Sequence, residues 1–476
     1  MFQMANLLIA AVKYGKEAVD EYPFPPLNIA VKHGMVEYVN IFLNSDVNQV
    51  WEGKNVLTSA LENGNPIVIG LILGTGRVLM ESVRSEMTKA CKNGDIMNIR
   101  YLFNYIDDYS VFFEKACENE HTDIVDFFLE NLPASKKDQL KSGFIESCRR
   151  NRYLIVRRLI NYGFPVELLI MREGISKCIS NGHLETLKEF LPIADLDFVF
   201  ETSPGTKCTP LSFAIRSDKE TIFNFLVTYA NVNFPDGDGR TALMEAVKSN
   251  NQKYTRYLIN HTDLNHQDIN GNTALSLAIS YGKNTNGMML VEDKKRINPQ
   301  LRLERGRTYL MYAAEHIKVH NEFFRAIMSM SEDQVNLFDD RGRTALSIAF
   351  DNENALGINM LLNRTDLSIK YGKYTIFGTI FANIFVNWHT SLTTTMSILY
   401  DLVDKHPLTP LFIQEMQTII NGASNYVLQH NYNDFAILVA RNNNGRWGLT
   451  LPDVKPKSPS KSYDNHNDYD DCSGYY

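Results

Sequence analysis

Between Asp236 and Ala349 one phrase returns four times: an acidic or polar turn, a glycine, a threonine, a leucine and, three residues after the leucine, an alanine. The copies are Gly239-Arg240-Thr241-Ala242-Leu243 with Ala246, Gly271-Asn272-Thr273-Ala274-Leu275 with Ala278, Gly306-Arg307-Thr308-Tyr309-Leu310 with Ala313, and Gly342-Arg343-Thr344-Ala345-Leu346 with Ala349. Their period of about 32 to 36 residues is that of helical repeats. A chain written this way folds as many copies of one small unit, not around one central core.

The same ruler laid backwards finds an apolar residue three positions before a small one in each earlier segment. The pairs are Leu27/Ala30, Leu57/Ala60, Met87/Ala90, Phe113/Ala116, Phe144/Ser147, Ile175/Cys178 and Leu211/Ala214. Downstream of the small residue a second signature follows, as in Val39, Phe42 and Leu43, in Ile69, Ile72 and Leu73, in Val125, Phe128 and Leu129, and in Val156, Leu159 and Ile160. Spacing of i, i+3, i+4 marks one face of a helix, so each unit is two short helices. A small residue at the same turn of every first helix lets neighbouring first helices approach, and leucine fills the shared interior. Gly34, Gly64, Gly94, Gly182 and Gly282 sit where the chain must reverse with positive φ. Threonine in the Asp-x-x-Gly-x-Thr phrase is placed to cap the next helix. No unit buries its apolar face alone, so stacking creates the core.

These residues resemble the ankyrin repeat family. TALMEAVKSNN, TALSLAISYGK and TALSIAFDNEN, each behind a D-x-x-G-x element or a close variant, follow the family's T-P-L-H-x-A pattern. The resemblance covers about residues 5 to 410 and implies an all-α fold, an ankyrin-repeat solenoid of about 11–12 helix-turn-helix units with short projecting turns. It departs from the family in two ways. The histidine after the leucine is replaced by Asn28, Thr58, Ser212, Met244, Ser276, Met311 and Ser347, and the proline survives only as Pro26 and Pro210. Losing the histidine removes a buried hydrogen-bond hub, which predicts a less uniform and less stable array. Divergent units such as EKACENEHTDIVDFFLE are similar to arrays of large DNA viruses of protists and of intracellular bacteria.

The expected organisation is a capping helix or partial repeat over 1–25, divergent repeats over 26–206, well-matched repeats over 207–374, a degenerate repeat with a helical cap over 375–440, and a disordered tail over 441–476. The start lacks a basic leader and reads as a cap, not as a signal peptide. Residues 374–400 carry no formal charge, yet Asn383, Asn387, Trp388 and His389 interrupt the apolar run, which argues for a buried helix, a loop at 387–391 and a second helix over 392–405, and against a membrane span.

A net charge of -7 argues against general nucleic-acid affinity, which depends on neutralising phosphates. Cys91, Cys117, Cys148 and Cys178 fall at the small-residue turn of successive units and so do not converge on a metal or a disulfide. Buried thiols in a reducing compartment, most simply the cytoplasm, fit them. No phosphate-cradling loop, metal-binding helix motif or nucleophile elbow is present, so no catalytic residue, cofactor or metal is assigned. The expected role is a non-catalytic, monomeric scaffold that grips a protein partner of unspecified identity through the concave face of fingers and first helices. The alternative is an adaptor whose segment 375–440 recruits a second machine, such as a ubiquitin ligase or a membrane. Two sets of binding residues follow. The resemblance points to Asp238, Arg240, Asn272, Arg307 and Arg343 at the fingers. Charge points to Arg149, Arg150, Arg152 and Tyr153, where a basic unit follows an acidic one running from Asp107 to Glu130. The plain reading of that inversion is a set of solvated salt bridges between adjacent units. The sharper one is a pocket for an acidic segment.

Overall fold

The computed structural model describes residues 26–163, 168–203, 205–293, 295–386 and 409–422. The expected cap over 1–25, the loop and helix over 387–405, and the tail over 441–476 lie outside the described residues. Two compact units divide the chain, residues 1–237 and 238–476.

Helix pairs recur through both units. In the first they begin with Pro26–Lys32 and Val36–Phe42, continue through Val56–Asn63 with Pro66–Gly74 and Met80–Asn93 with Ile96–Leu102, and end with Pro210–Arg216 and Glu220–Tyr229. In the second they run from Ala242–Lys248 with Gln252–Ile259 to Ala345–Asp351 with Ala355–Leu361. Within each unit a first helix packs on the first helix of the next pair, and many second helices do the same. The all-α fold of stacked helix pairs is therefore as the repeat pattern predicts.

The core lies where the ruler puts it. Ala30, Ala60, Ala116, Ser147, Cys178, Ala214, Ala246, Ala278, Ala313 and Ala349 are fully buried, and Leu27, Met87, Phe113, Phe144, Ile175, Leu243, Leu310 and Leu346 lie beside them without exposure. Two helical glycines lie hard against phenylalanine rings of a neighbouring helix. A Cβ on Gly143 would stand 2.4 Å from the Phe113 ring, and one on Gly287 would stand 2.1 Å from the ring of Phe323. The expected positive φ holds at Gly34, Gly64, Gly94, Gly182 and Gly282. Where glycine is missing from that turn, Glu120, Asn151, Asp218, Asn250 and Glu353 take the same left-handed conformation, at a cost of roughly 1 kcal/mol each.

Three fingers are more than turns. Val50–Trp51 pairs with Lys54–Asn55, Phe200–Ser203 with Thr206–Cys208, and Lys370–Tyr371 with Tyr374–Thr375, each as an antiparallel hairpin. Strands this short leave no readable alternation in sequence. At the far end of the second unit, Ile376–Val386 packs on Ala345–Asp351 and on Pro410–Gly422. Glu415 accepts a bond from the Thr375 backbone N–H at 3.0 Å, so a buried carboxylate caps the start of the terminal first helix. No helix among the described residues is long and apolar enough to cross a membrane.

Candidate partner-binding surface

Two fingers of the well-matched repeats are each built on one aspartate. Asp268 Oδ1 accepts the backbone N–H of Asn270 at 3.0 Å and of Asn272 at 2.8 Å. The Gly271 N–H then closes on the Asp268 carbonyl at 2.9 Å. Asp339 repeats this, accepting from Arg341 at 2.9 Å and Arg343 at 2.8 Å, with the Gly342 N–H on its own carbonyl at 2.9 Å. The glycine must follow because the turn needs φ near 79° at Gly271 and 74° at Gly342. Leu303 replaces the aspartate in the finger between them, and there Arg305 itself adopts φ 59°.

Fingers of successive repeats are joined edge to edge. The Ile269 N–H donates to the Asp238 carbonyl at 3.1 Å, and the Asp340 N–H to the Arg305 carbonyl at 3.1 Å. Gln267 Nε2 reaches the Arg302 carbonyl at 2.9 Å. Side chains at equivalent finger positions consequently stand side by side across repeats.

Behind each finger a threonine starts the helix. Thr273, Thr308 and Thr344 accept the backbone N–H of Ser276, Met311 and Ser347. In two repeats the serine that replaces the family's histidine closes the cap from the other side: Ser276 Oγ accepts from the Thr273 N–H at 2.9 Å and donates to its carbonyl at 3.0 Å, and Ser347 does so on Thr344 at 2.9 Å and 2.9 Å. The lost hub is thus replaced by a reciprocal cap of the kind that satisfies two orphan donors.

The finger residues expected to meet a partner are placed as follows. Asp238 is half exposed and 3.1 Å from Arg240. Arg240 Nε also faces Asp268 at 3.8 Å, whose side chain is 1% exposed. Asn272 Oδ1 accepts from the Tyr312 hydroxyl at 3.0 Å. Arg307 reaches Glu315 at 2.5 Å and Asp339 at 4.0 Å, with its guanidinium 5.6 Å above the Tyr312 ring. Arg343 grips Asp339 through Nε at 3.1 Å and Nη2 at 2.9 Å. The three arginines therefore lean inward and tie one finger to an aspartate in its own or the next. Burial in this network pushes the Tyr312 phenol up to about 12, with Glu304 adding to the shift, and burial pushes Tyr309 up to about 12. His316 is held below its ordinary value by burial.

In the other unit, Arg149, Arg150 and Arg152 are brought together with acids. Arg149 Nε donates to Glu146 at 2.6 Å, Arg150 bridges Glu146 and Glu118, and Arg152 meets Glu120 at 2.7 Å. Hydrogen bonds from Arg149 and then Arg150 hold the Glu146 carboxyl at about 2. Arg158 pairs with Asp126, Arg157 with Glu189 at 2.7 Å, and the Arg157 guanidinium stands 5.8 Å over Tyr153. Among the described residues the basic unit is thus threaded by acids of its neighbours.

The cysteines Cys91, Cys117, Cys148, Cys178 and Cys208 are free and buried, and burial raises the Cys91 thiol to about 12. Cys472 lies outside the described residues. His121 bonds the Lys92 carbonyl at 2.9 Å and His183 the Cys148 carbonyl at 3.1 Å, so these histidines link repeats at the turn. Among the described residues, no group of three or more His, Cys, Asp or Glu could hold a metal ion.

Residues 175–268 and 230–300 match the family model for ankyrin repeats, which finds three copies. Within residues 175–300 the chain carries ankyrin repeats. Ankyrin repeats generally mediate protein–protein interaction, and the family is typically non-catalytic. No curated protein matches the chain. Sequence reasoning missed which finger residues stand outward. In these ankyrin fingers the exposed tip residues are Ile269, Asn270, Arg305, Asp340 and Arg341, while the arginine before the threonine is only half-buried. The signal was present in the phrase itself, because an arginine written beside a recurring aspartate is a candidate internal pair.

Proposed function

We propose that the protein is a non-catalytic scaffold that binds a partner protein through the face made by the fingers and first helices. The observation that carries this reading is the edge-to-edge joining of fingers, Ile269 to Asp238 and Asp340 to Arg305. It sets one or two outward side chains per repeat in a row, and affinity can then accumulate over several repeats from contacts that are individually weak. Asp238 and the tips beside it supply the outward groups. Arg240, Asn272, Arg307 and Arg343 hold the row in register and contribute at its rim. Arg149, Arg150, Arg152 and Tyr153 reach a partner only by exchanging an acid already bound to the cluster, which favours a carboxylate-bearing segment there.

Cross-linking of the full chain to its captured partner, mapped residue by residue, tests the reading. Links on the fingers and first helices are expected. Links confined to second helices such as Gln252–Ile259 and Asn321–Met330 would reject it.

A further inference from the structure

We infer that the finger tips of the last repeats in the second unit form a docking row for an extended acidic protein segment. This rests on the scaffold reading above and adds the chemistry of the partner. Arg305, Arg341, Lys370 and Lys373 are all exposed, on three consecutive fingers. The first two fingers are joined by the Asp340-to-Arg305 backbone bond, and Arg302 staples them further, donating to the carbonyls of Gly306 at 2.9 Å and Phe338 at 3.4 Å. The third finger is the hairpin Lys370–Tyr371 with Tyr374–Thr375, and it precedes the first helix Ile376–Val386, which packs on Ala345–Asp351.

Charge decides the partner. The acid at the base of these fingers, Asp339, is fully buried and neutralised by Arg343 with Arg307 close by. Acids beside these tips include Glu304, 3.5 Å from Arg305, Asp340, which folds over Gly306, and the exposed Asp366 ahead of the third finger, whose carboxylate accepts the backbone N–H of Ser368 at 3.0 Å and its hydroxyl at 2.6 Å. Arg341 and Lys370 have no acidic partner among the described residues, and Lys373 Nζ rests 5.1 Å from the centroid of the Tyr374 ring. A local positive strip therefore stands on a chain of net charge -7. Arginine forks suit carboxylates bidentately, and complementary charge speeds encounter. The strip is flanked by Ile269, which is 70% exposed, and is interspersed with Glu304 and Asp340. An apolar neighbour and two carboxylates suit a peptide with spaced acids and disfavour a continuous phosphate backbone. Arg305 at φ 59° is also where glycine or asparagine would be easier, so the tip keeps a cation at a conformational cost.

The test uses the full chain and two labelled probes: a peptide of alternating Glu and Ser, and a single-stranded oligonucleotide of equal charge. Fluorescence anisotropy is read for the parent, for the triple variant Arg305→Glu, Arg341→Glu, Lys373→Glu, and for the control Arg325→Glu on a second helix. The expected result is peptide binding that weakens about tenfold or more in the triple variant, fades with salt, and is unchanged in the control. Circular dichroism of the triple variant should match the parent, since these side chains are at the surface. Tighter binding of the oligonucleotide than of the peptide, equal loss in the control, or no peptide binding by the parent would each overturn the proposal. Cross-linking to the captured partner separates this from the broader reading: links on fingers and first helices that persist in the triple variant leave the scaffold standing and remove the acidic docking row.

Discussion

Asp107 and Asp339 occupy fingers of the two units and could hardly be treated more differently by the fold. Asp107 is fully exposed and meets Lys136 at 3.5 Å, whereas Asp339 is fully buried and organises two backbone N–H groups and an arginine fork. The contrast recurs between the stretch 107–190 of the first unit and 268–349 of the second. The second uses the finger phrase and its caps, so repeats are held in register by buried, backbone-directed bonds. In the first, where that phrase is absent, ion pairs across one repeat step, Arg150–Glu118, Arg152–Glu120, Arg158–Asp126 and Arg157–Glu189, stand beside an aromatic cluster in which Phe103 stacks on Tyr109 at 4.6 Å and meets Phe127 edge-on at 5.1 Å. One architecture is thus fastened by two kinds of interaction, one insulated from water and one open to it.

Substitutions that strike this contrast should differ in size. Asp339→Ala leaves Arg343 and two finger amides without their acceptor and should cost about 3–5 kcal/mol, while Asp107→Ala should cost less than about 0.5 kcal/mol. Urea unfolding of both variants checks it, and equal losses would erase the distinction between the fingers. Gly287→Ala and Gly143→Ala probe what the units share. Each added methyl meets a phenylalanine ring well inside contact distance, so each should lose about 2–3 kcal/mol. A loss in only one would mean that close helix approach is not common to both.

Smaller effects sharpen the picture. Ser347→Ala opens the reciprocal cap on Thr344 and should destabilise by about 1 kcal/mol. An unchanged unfolding midpoint would show that serine does not stand in for the family's histidine. Glu146 supplies a pH signature for the first unit. Its folded pKa of about 2 lies below the usual 4.5, so its stabilising contribution is fully present above about 4.5 and is lost as pH falls from there toward 2. Glu146→Gln should flatten that part of the stability profile, and a profile that keeps the parent's slope would contradict the assignment.

Much of this was legible in the residues. The apolar–small pairs from Leu27/Ala30 to Leu346/Ala349 placed the first helices they fall on because packing admits one solution at that turn, while Ile376–Val386 followed from its apolar stripe. Thr273, Thr308 and Thr344 announced their caps for the same local reason. The hairpins at Val50, Phe200 and Lys370 were not legible, since two to four residues of strand carry no period. Nor was the inward lean of Arg240, Arg307 and Arg343. Whether a finger side chain points at solvent or at its neighbour's aspartate depends on how the glycine turns the backbone, a geometric fact that spacing does not encode. The alternation of acidic and basic stretches over residues 107–158 did foretell charge pairing, because repeats adjacent in sequence are adjacent in space.

Native-state hydrogen exchange at low salt and at about 1 M salt, where the screening length shrinks to about 3 Å, tests the central claim most directly. The account predicts that protection falls in the ion-paired repeats over 107–190 while amides of the fingers and first helices over 268–349 keep theirs. Equal loss in both stretches, or loss confined to the second, would contradict it.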